Sequence, residues 1–253
     1  MYLRHVSNAG ILLYAGSRSF GIDVFAKDEN GLYMDTPYSE RSLIMEQAEN
    51  SSLSMLIITH GHSDHFHAPD VIEAMERARG LRILTTEAVA WILDENGADM
   101  DRVFIYPSGS PGSMRISPPG IPDVSVEIFS AVHDGDRYAD VENLVCTVAY
   151  GGKKLVSTGD AKPTDELFAH IAKKTPSPDL LVIPFPLVGL PSARRKLAAH
   201  LAPRMILACH LPRPESDTEK WRDSALKVCE ASAGRDSLPM PVFGDVPGTV
   251  YDI

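Results

Sequence analysis

"LIITHGHSDHFHA", residues 56–68, sets four histidines and an aspartate directly behind an apolar run. The apolar part reads as a strand. In extended backbone, residues two apart project to the same side, so the imidazoles of His60 and His62 can reach one cation together. Gly61 lets the chain turn, and the turn carries Asp64 and His65 to an adjoining position. Imidazole nitrogen and carboxylate oxygen are donors for zinc and similar divalent ions, at about 2.0–2.2 Å for zinc. Four such donors within six residues overfill half of one tetrahedral site and suit two ions side by side. A lone His-x-His is more often a surface turn that binds nothing, whereas His-x-His-x-Asp-His behind a β-run is far more specific.

Two adjacent ions need donors from elsewhere in the chain. "FSAVHDGD" offers His133 at a strand end, "LVSTGDAK" offers Asp160 where a strand runs into a Gly-Asp turn, and "RMILACHLP" offers His210, again at a strand end. Taken singly, Asp160 reads equally as a helix cap, and His133 or His210 as a hydrogen-bonded rim histidine. Three strand-end donors in succession are the arrangement that a site along one sheet edge requires.

The wider pattern supports such a sheet edge. "YLRHV", "GILLYAG" and "SFGIDVF" read as three short strands joined by tight turns. Polar, turn-rich residues 25–42 read as a long surface loop, followed by a helix near 41–49 and the strand "SMLIIT". A helical pattern starts at Pro69, with Val71, Ile72, Met75 and Ala78 on one face and Gly80 as its stop. Then come the strand "RILTT", a helix near 86–95 and the strand "RVFIY". "SMRIS", "VSVEIFSAV", "NLVCTVAY" and "KKLVST" form a second β-rich stretch, and a helix is expected within "GDAKPTDELFAHIAKK". "DLLVIPF", a helix near 191–201, "RMILAC", a helix near 216–232, and strands at "MPVFG" and "TVYDI" complete the order. Strand blocks with helices spread through both halves predict two packed sheets covered by helices, with an internal pseudo-repeat of architecture. Nothing marks a domain boundary, so residues 1–253 read as a single domain.

Composition narrows the partners. Asp and Glu outnumber Lys and Arg by 34 to 24, a formal net charge of −10 without a dense basic block. Unaided binding to DNA is therefore disfavoured, because phosphate contacts need concentrated positive charge. Cys146, Cys209 and Cys229 are widely spaced without a Cys-x-x-Cys, which argues against a disulfide framework or a thiolate zinc site and fits a reducing cytoplasm. No apolar run approaches the ~20 residues of a membrane span, and the N-terminus lacks the pattern of a signal peptide.

Together these motifs resemble the metallo-β-lactamase-fold hydrolase superfamily. The resemblance covers nearly the whole chain: paired N-terminal strands with Asp23 ending "GID", then "THGHSDH", His133, "TGD" and His210, all in the family's order. It implies an α/β fold, an αββα four-layer sandwich of two mixed β-sheets flanked by helices, with a dinuclear metal site at one edge. Carried over residue by residue, His60, His62 and His133 hold the first metal, Asp64, His65 and His210 the second, and Asp160 bridges. The implied cofactors are two divalent metal ions, zinc foremost, with manganese or iron compatible with the same donors. The Asp64-His65 pair together with Asp160 is similar to the hydrolase branches rather than the cysteine-ligated, antibiotic-hydrolysing one. A histidine at 62, where flavodiiron proteins want a glutamate, disfavours oxygen or nitric-oxide reduction. The opening "NAGILLYAGSRSFGIDVF" most resembles the branch containing L-ascorbate-6-phosphate lactonase and N-acyl-phosphatidylethanolamine phospholipase D, although Asn8 stands where many members carry a Gly-His pair.

The function expected is that of a cytoplasmic hydrolase. Two cations sharing a hydroxide would cleave an ester- or lactone-type bond of a small metabolite, a phosphorylated one among the candidates. Asp64 would serve as both ligand and catalytic base. A metal-dependent phosphodiesterase acting on a small nucleotide or RNA is the second reading. A metal-binding scaffold without turnover is the third. Assembly into a homo-oligomer is open by analogy with relatives. The 25–42 loop, with Tyr33, Met34 and Tyr38, reads equally as a lid over the metals or an ordinary exposed loop. Arg194, Arg195 and Lys196 read as a solvated helix face, with an anion grip near the helix N-terminus as the alternative. Residues 133–140, "HDGDRYAD", are expected to line the mouth. His67 is expected to support the site or lie at the surface, His5, His170 and His200 to be structural, and Cys209 to be a small core residue.

Overall fold

A strand buried on both faces must be apolar at every position rather than at alternate ones. Leu180–Pro184 and Met205–Cys209 have that character, Leu53–Ile57 has it but for Ser54, whose hydroxyl donates to the Ser19 carbonyl, and all three lie in the interior of a sheet. The computed structural model describes residues 1–109 and 112–253. The first half of the chain runs β1 (Tyr2–His5), β2 (Ile11–Ala15), β3 (Arg18–Ile22), α1 (Tyr38–Glu49), β4 (Leu53–Ile57), α2 (Ala68–Arg77), β5 (Arg82–Thr85), α3 (Glu87–Glu95) and β6 (Val103–Ile105). The second runs β7 (Met114–Ile116), β8 (Ser125–Val132), β9 (Glu142–Tyr150), β10 (Lys153–Ser157), α4 (Asp165–Ala172), β11 (Leu180–Pro184), α5 (Pro186–Gly189), α6 (Pro191–His200), β12 (Met205–Cys209), α7 (Trp221–Ser232), β13 (Val242–Phe243) and β14 (Val250–Asp252).

Two seven-stranded sheets result, ordered β14-β1-β2-β3-β4-β5-β6 and β13-β12-β11-β10-β9-β8-β7. In the first, β14 through β3 pair antiparallel and β3 through β6 parallel. The second repeats the scheme, with β7 through β10 antiparallel and β10 through β13 parallel. The expected pseudo-repeat is thus present, and β14 crosses back to complete the first sheet.

Side-chain alternation explains the four layers. In β4, Met55 and Ile57 point between the sheets while Leu53 and Leu56 pack under α1 and α2. In β11, Leu180 and Val182 point between the sheets while Leu181 and Ile183 pack under α4 to α7. The sandwich is therefore helix, sheet, sheet, helix, as expected.

Several local expectations shift. The chain between 25 and 42 is not loop throughout, because α1 already begins at Tyr38, behind the extended Pro37. α2 ends at Arg77 with Ala78 in extended conformation, before Gly80 is reached. The helix expected near 216–232 begins only at Trp221, after a left-handed Lys220. The short α5 was not anticipated; two prolines, Pro184 and Pro186, mask it.

Leu207, in β12, is fully buried between the two sheets. Leu207→Ala should lower the unfolding free energy by about 2–5 kcal/mol, read as a shifted urea midpoint at unchanged slope.

Candidate metal centre

The polar exits of the apolar strands meet at one edge of the sandwich. β4 runs out into His60, and the turn that follows is closed by His65 N and Phe66 N on the carbonyl of His62. β8 ends beside His133, β10 leads to Asp160 and β12 to His210. These seven residues fall into two groups, His60 with His62 and His133, and Asp64 with His65, Asp160 and His210, each with donor atoms within 4.8 Å of one another. All seven sequence-derived candidates are thus brought to one place, with Asp160 falling in the second group.

The local folding is specific. Asp160 N donates to Asn143 Oδ1 at 2.9 Å, while Asn143 Nδ2 donates to the Thr158 carbonyl at 2.9 Å. Gly159 has φ +50°, and a Cβ there would lie 2.3 Å from Asn143 Oδ1, so the Gly-Asp turn admits glycine alone. His210 has φ +60° and Asp23 φ +50°. Left-handed backbone at two non-glycine residues, both at strand exits, is strain held in place by its surroundings.

Hydrogen bonds fix which ring nitrogen faces inward. His65 Nδ1 donates to Asp23 Oδ2 at 2.9 Å, and His133 Nδ1 donates to the Asp134 carbonyl at 2.6 Å. Thr59 Oγ1 donates to Asp23 Oδ2 at 2.7 Å, so it accepts from His60 Nδ1 at 3.0 Å. In all three histidines Nε2 is left to the centre. His65 Nε2, His133 Nε2, His210 Nε2 and Asp160 Oδ1 are buried without a hydrogen-bond partner. His210 Nε2 lies 2.9 Å from both Asp64 Oδ2 and Asp160 Oδ2, close enough for charge pairing but without hydrogen-bond geometry. Convergent lone pairs left unsatisfied in a buried place are what a bound cation would require. His60 Nε2 and His62 Nδ1 are 3.1 Å apart, near the roughly 3.4 Å between two nitrogens that share a tetrahedral zinc. The donor set fits divalent metal.

Asp160 sits at the junction of the groups. Its Oδ2 lies 3.5 Å from His133 Nε2 in one, and 3.3 Å and 2.9 Å from His65 Nε2 and His210 Nε2 in the other. Beside it opens a cavity of about 520 Å³, walled by Tyr33, His62, Tyr138 and Leu187 among others.

A model of the family described as beta-lactamase superfamily domain matches residues 35–212. The chain belongs to the beta-lactamase superfamily. No curated protein sequence is significantly similar to it. Among solved structures, a possible metal-dependent hydrolase from Veillonella parvula has a TM-score of 0.69 at 15% identity, covering 100% of this chain and 99% of its own. An isothiocyanate hydrolase from Delia radicum gut bacteria has a TM-score of 0.66 at 14% identity, covering 100% and 99%. Zinc-bound PqqB from Methylobacterium extorquens has a TM-score of 0.59 at 16% identity, covering 96% of this chain and 87% of its own. Membership of the superfamily, with the buried donor groups, makes the chain a metal-dependent hydrolase.

Other expectations are corrected. Arg194 is neither solvated nor near the site: it is 2% exposed, paired with Asp236 at 2.7 Å and 3.1 Å and set beside Cys229. Arg195 is exposed and Lys196 donates to the Pro163 carbonyl, and neither lines the cavity. Asp160 caps no helix; Thr164 caps α4. Tyr38 is 83% exposed, while Leu32 and Tyr33 do reach the cavity. Asp134, Gly135, Arg137 and Tyr138 line it as well, as expected for the mouth. His67 pairs with Asp70, His200 with Asp165, His170 packs on Phe129, and buried His5 meets the Asn8 carbonyl. Cys209 Sγ meets the Ile183 carbonyl in the core. No helix among the described residues is long and apolar enough to cross a membrane.

Sequence reading missed the supporting residues. Asp23 accepts from Thr59 N at 2.8 Å, from Thr59 Oγ1 and from His65, and so orients one histidine of each group. Asn8 Nδ2 donates to Asp64 Oδ2 at 3.0 Å and to the Asp64 carbonyl at 3.1 Å. An aspartate ending the apolar "SFGI" was the one available signal for Asp23; an asparagine in a turn gives none. Asp23→Ala should weaken zinc binding about 10- to 100-fold, measured by competition with a chromogenic chelator.

Metal-free, the acids and histidines must neutralise one another. Burial alone would lower the His65 pKa, but Asp160 and Asp64 raise it to about 10. His210 is likewise raised against burial, chiefly by Asp160. Burial would raise the Asp64 pKa, yet His65 and His210 bring it down to about 2. His60, by contrast, is lowered by burial and by His65. A raised histidine stabilises the fold fully below its unfolded pKa and ceases to as pH rises through its folded one. Chelated protein should therefore lose stability to urea between pH 6.5 and about 10 through His65. Metal-loaded protein should not, because metal replaces those protons.

Proposed function

We propose that the two donor groups would hold two divalent cations, with Asp160 within reach of both groups, and that the chain hydrolyses an ester- or lactone-type carbonyl bond in a small metabolite. The observation that carries this reading is the Asp160 carboxylate, which lies within 3.5 Å of histidine nitrogens from both groups and opens onto a cavity sized for a small molecule. His60, His62 and His133 would hold one ion, and Asp64, His65 and His210 the other. When bound, such a pair supplies a water acidified toward neutral pH and an electrophilic centre for a carbonyl oxygen.

The chain's own residues supply the rest. Histidines whose Nδ1 atoms are already engaged aim Nε2 at the centre without turning the ring, and at His65 metal would take the place of the Nε2 proton. Asn8 holds the Asp64 carboxylate in one rotamer from two sides, through Oδ2 and through the main chain. Asp64, kept unprotonated at neutral pH by His65 and His210, orients the attacking water and takes its proton at Oδ2. Pro184, Pro186 and Leu187 give the cavity an apolar side that excludes competing solvent.

Zinc is the first metal to try, being suited to imidazole and carboxylate donors and present in PqqB. The acidic balance of the chain favours a small molecule over nucleic acid, and the three reduced cysteines suit the cytoplasm.

Initial rates of the zinc-loaded chain on a sugar lactone and on bis(p-nitrophenyl) phosphate, each with and without chelator, test the reading. Lactone turnover that chelator abolishes is expected, with the phosphodiester untouched. Turnover of the phosphodiester alone would replace this reading with a phosphodiesterase, and two firmly bound metals with no turnover would favour the scaffold. Asp160→Ala should lower lactone kcat/KM at least about 100-fold, the upper end of what losing a ligand's hydrogen-bond partner costs.

A further inference from the structure

Tyr33 stands over the second donor group in a way that the hydrolytic reading leaves unused. Its ring meets the His210 ring edge-on, with centroids 4.1 Å apart, and it forms part of the cavity wall. Its position is fixed from both sides of its own backbone. Asp28 Oδ2 accepts from Leu32 N at 2.6 Å and from Tyr33 N at 2.7 Å. Arg213 Nε donates to the Tyr33 carbonyl at 2.5 Å, and Arg213 N donates to the Leu32 carbonyl at 2.8 Å. Ser216 Oγ donates to the Gly31 carbonyl, and Arg213 pairs with Asp35. The segment is therefore pinned across the mouth by the chain just beyond His210.

Among the described residues, every hydrogen bond that Tyr33 makes is made by its backbone. The phenol is a donor held beside the cavity with its hydrogen uncommitted. Like any phenol it is protonated near neutral pH, and so acts there neither as nucleophile nor as base. What remains is donation to an oxygen that becomes negative.

Tyr138 offers a contrast on the opposite wall. Its ring lies against His62 and His133, beside the first group, and the Arg137 guanidinium covers it at 4.6 Å. Only Tyr33 borders the group that contains Asp64, the residue assigned to the attacking water.

We propose that Tyr33 is a catalytic residue, its hydroxyl donating a hydrogen bond to the substrate's carbonyl oxygen as attack turns that oxygen into an anion. The proposal rests on the carbonyl-hydrolase reading above. As the new carbon–oxygen bond forms, the carbonyl electron pair moves onto oxygen, where the Tyr33 O–H meets it. As the tetrahedral centre collapses the pair returns to carbon, the leaving group departs, and Tyr33 keeps its proton throughout. A donor fixed by backbone hydrogen bonds pays little ordering cost when that charge develops.

Tyr33→Phe keeps the ring on His210 and removes only the hydroxyl, so it is the test, run in zinc-loaded protein on a sugar lactone and on p-nitrophenyl acetate. Loss of one such donor costs about 100-fold or more in kcat, and KM, zinc content and thermal midpoint should stay at wild-type values. The loss should be equal for both probes, because p-nitrophenolate needs no help in leaving. Wild-type kcat in Tyr33→Phe would overturn the proposal while leaving the hydrolase reading intact. A loss confined to the lactone would also overturn it, moving the hydroxyl to the leaving group, and so would a loss that tracks missing zinc. If wild-type protein with both metals bound turned over neither probe, the hydrolase reading would fail first and take the proposal with it.

Discussion

A buried carboxylate must be matched by hydrogen bonds or by a paired charge, and Asp23 is matched three times over. Thr59 N, Thr59 Oγ1 and His65 Nδ1 all donate to it, and it is 2% exposed. Through that one group, the end of β3 grips both the exit of β4 and the turn beyond it. Thr59 passes the constraint to His60, so a histidine in each donor group answers to the same carboxylate. The Thr59 carbonyl in turn accepts from Leu144 N in the opposite sheet. The spacing of the two sheets and the aim of the donor nitrogens are therefore one mechanical problem, solved at one residue.

That arrangement explains why the site lies on the seam. The first sheet contributes His60, His62, Asp64 and His65 from a single strand exit; the second contributes His133, Asp160 and His210 from three. Neither sheet alone offers a closed donor set. Left-handed backbone at Asp23 and His210, costing of order 1–3 kcal/mol each, is tolerable because both residues are tied to neighbours. His210 N donates to the Asn8 carbonyl, and Asp23 N to the Ile57 carbonyl. Parallel strands in each half put their C-terminal ends at the same edge, which is where ligands of α/β sheets are usually found.

The segment above the site is tied down by hydrogen bonds. Asp28 organises its turn from within, and Arg213 and Ser216 hold it from outside. The cavity is thus formed before any ligand arrives, in keeping with a site whose donors are also preset by hydrogen bonds.

The sequence by itself determined the layered fold, the strand exits and seven candidate donors, because period-two burial and a six-residue ligand motif are local patterns. It also marked where those candidates lie, since each sits where an apolar strand turns polar. It could not reveal Asp23, Asn8, Thr59 or Asn143 as supports, because their partners lie between 15 and 56 residues away, or reach the centre only through another side chain. For the same reason Arg194 reads as solvated in sequence and is buried in fact: its partner, Asp236, lies 42 residues on. Tyr33 is one aromatic in a polar loop until Arg213, 180 residues later, sets it against His210. Tertiary structure alone decided which atoms face inward, since hydrogen-bond direction at a ring nitrogen depends on a neighbour that chain order does not supply.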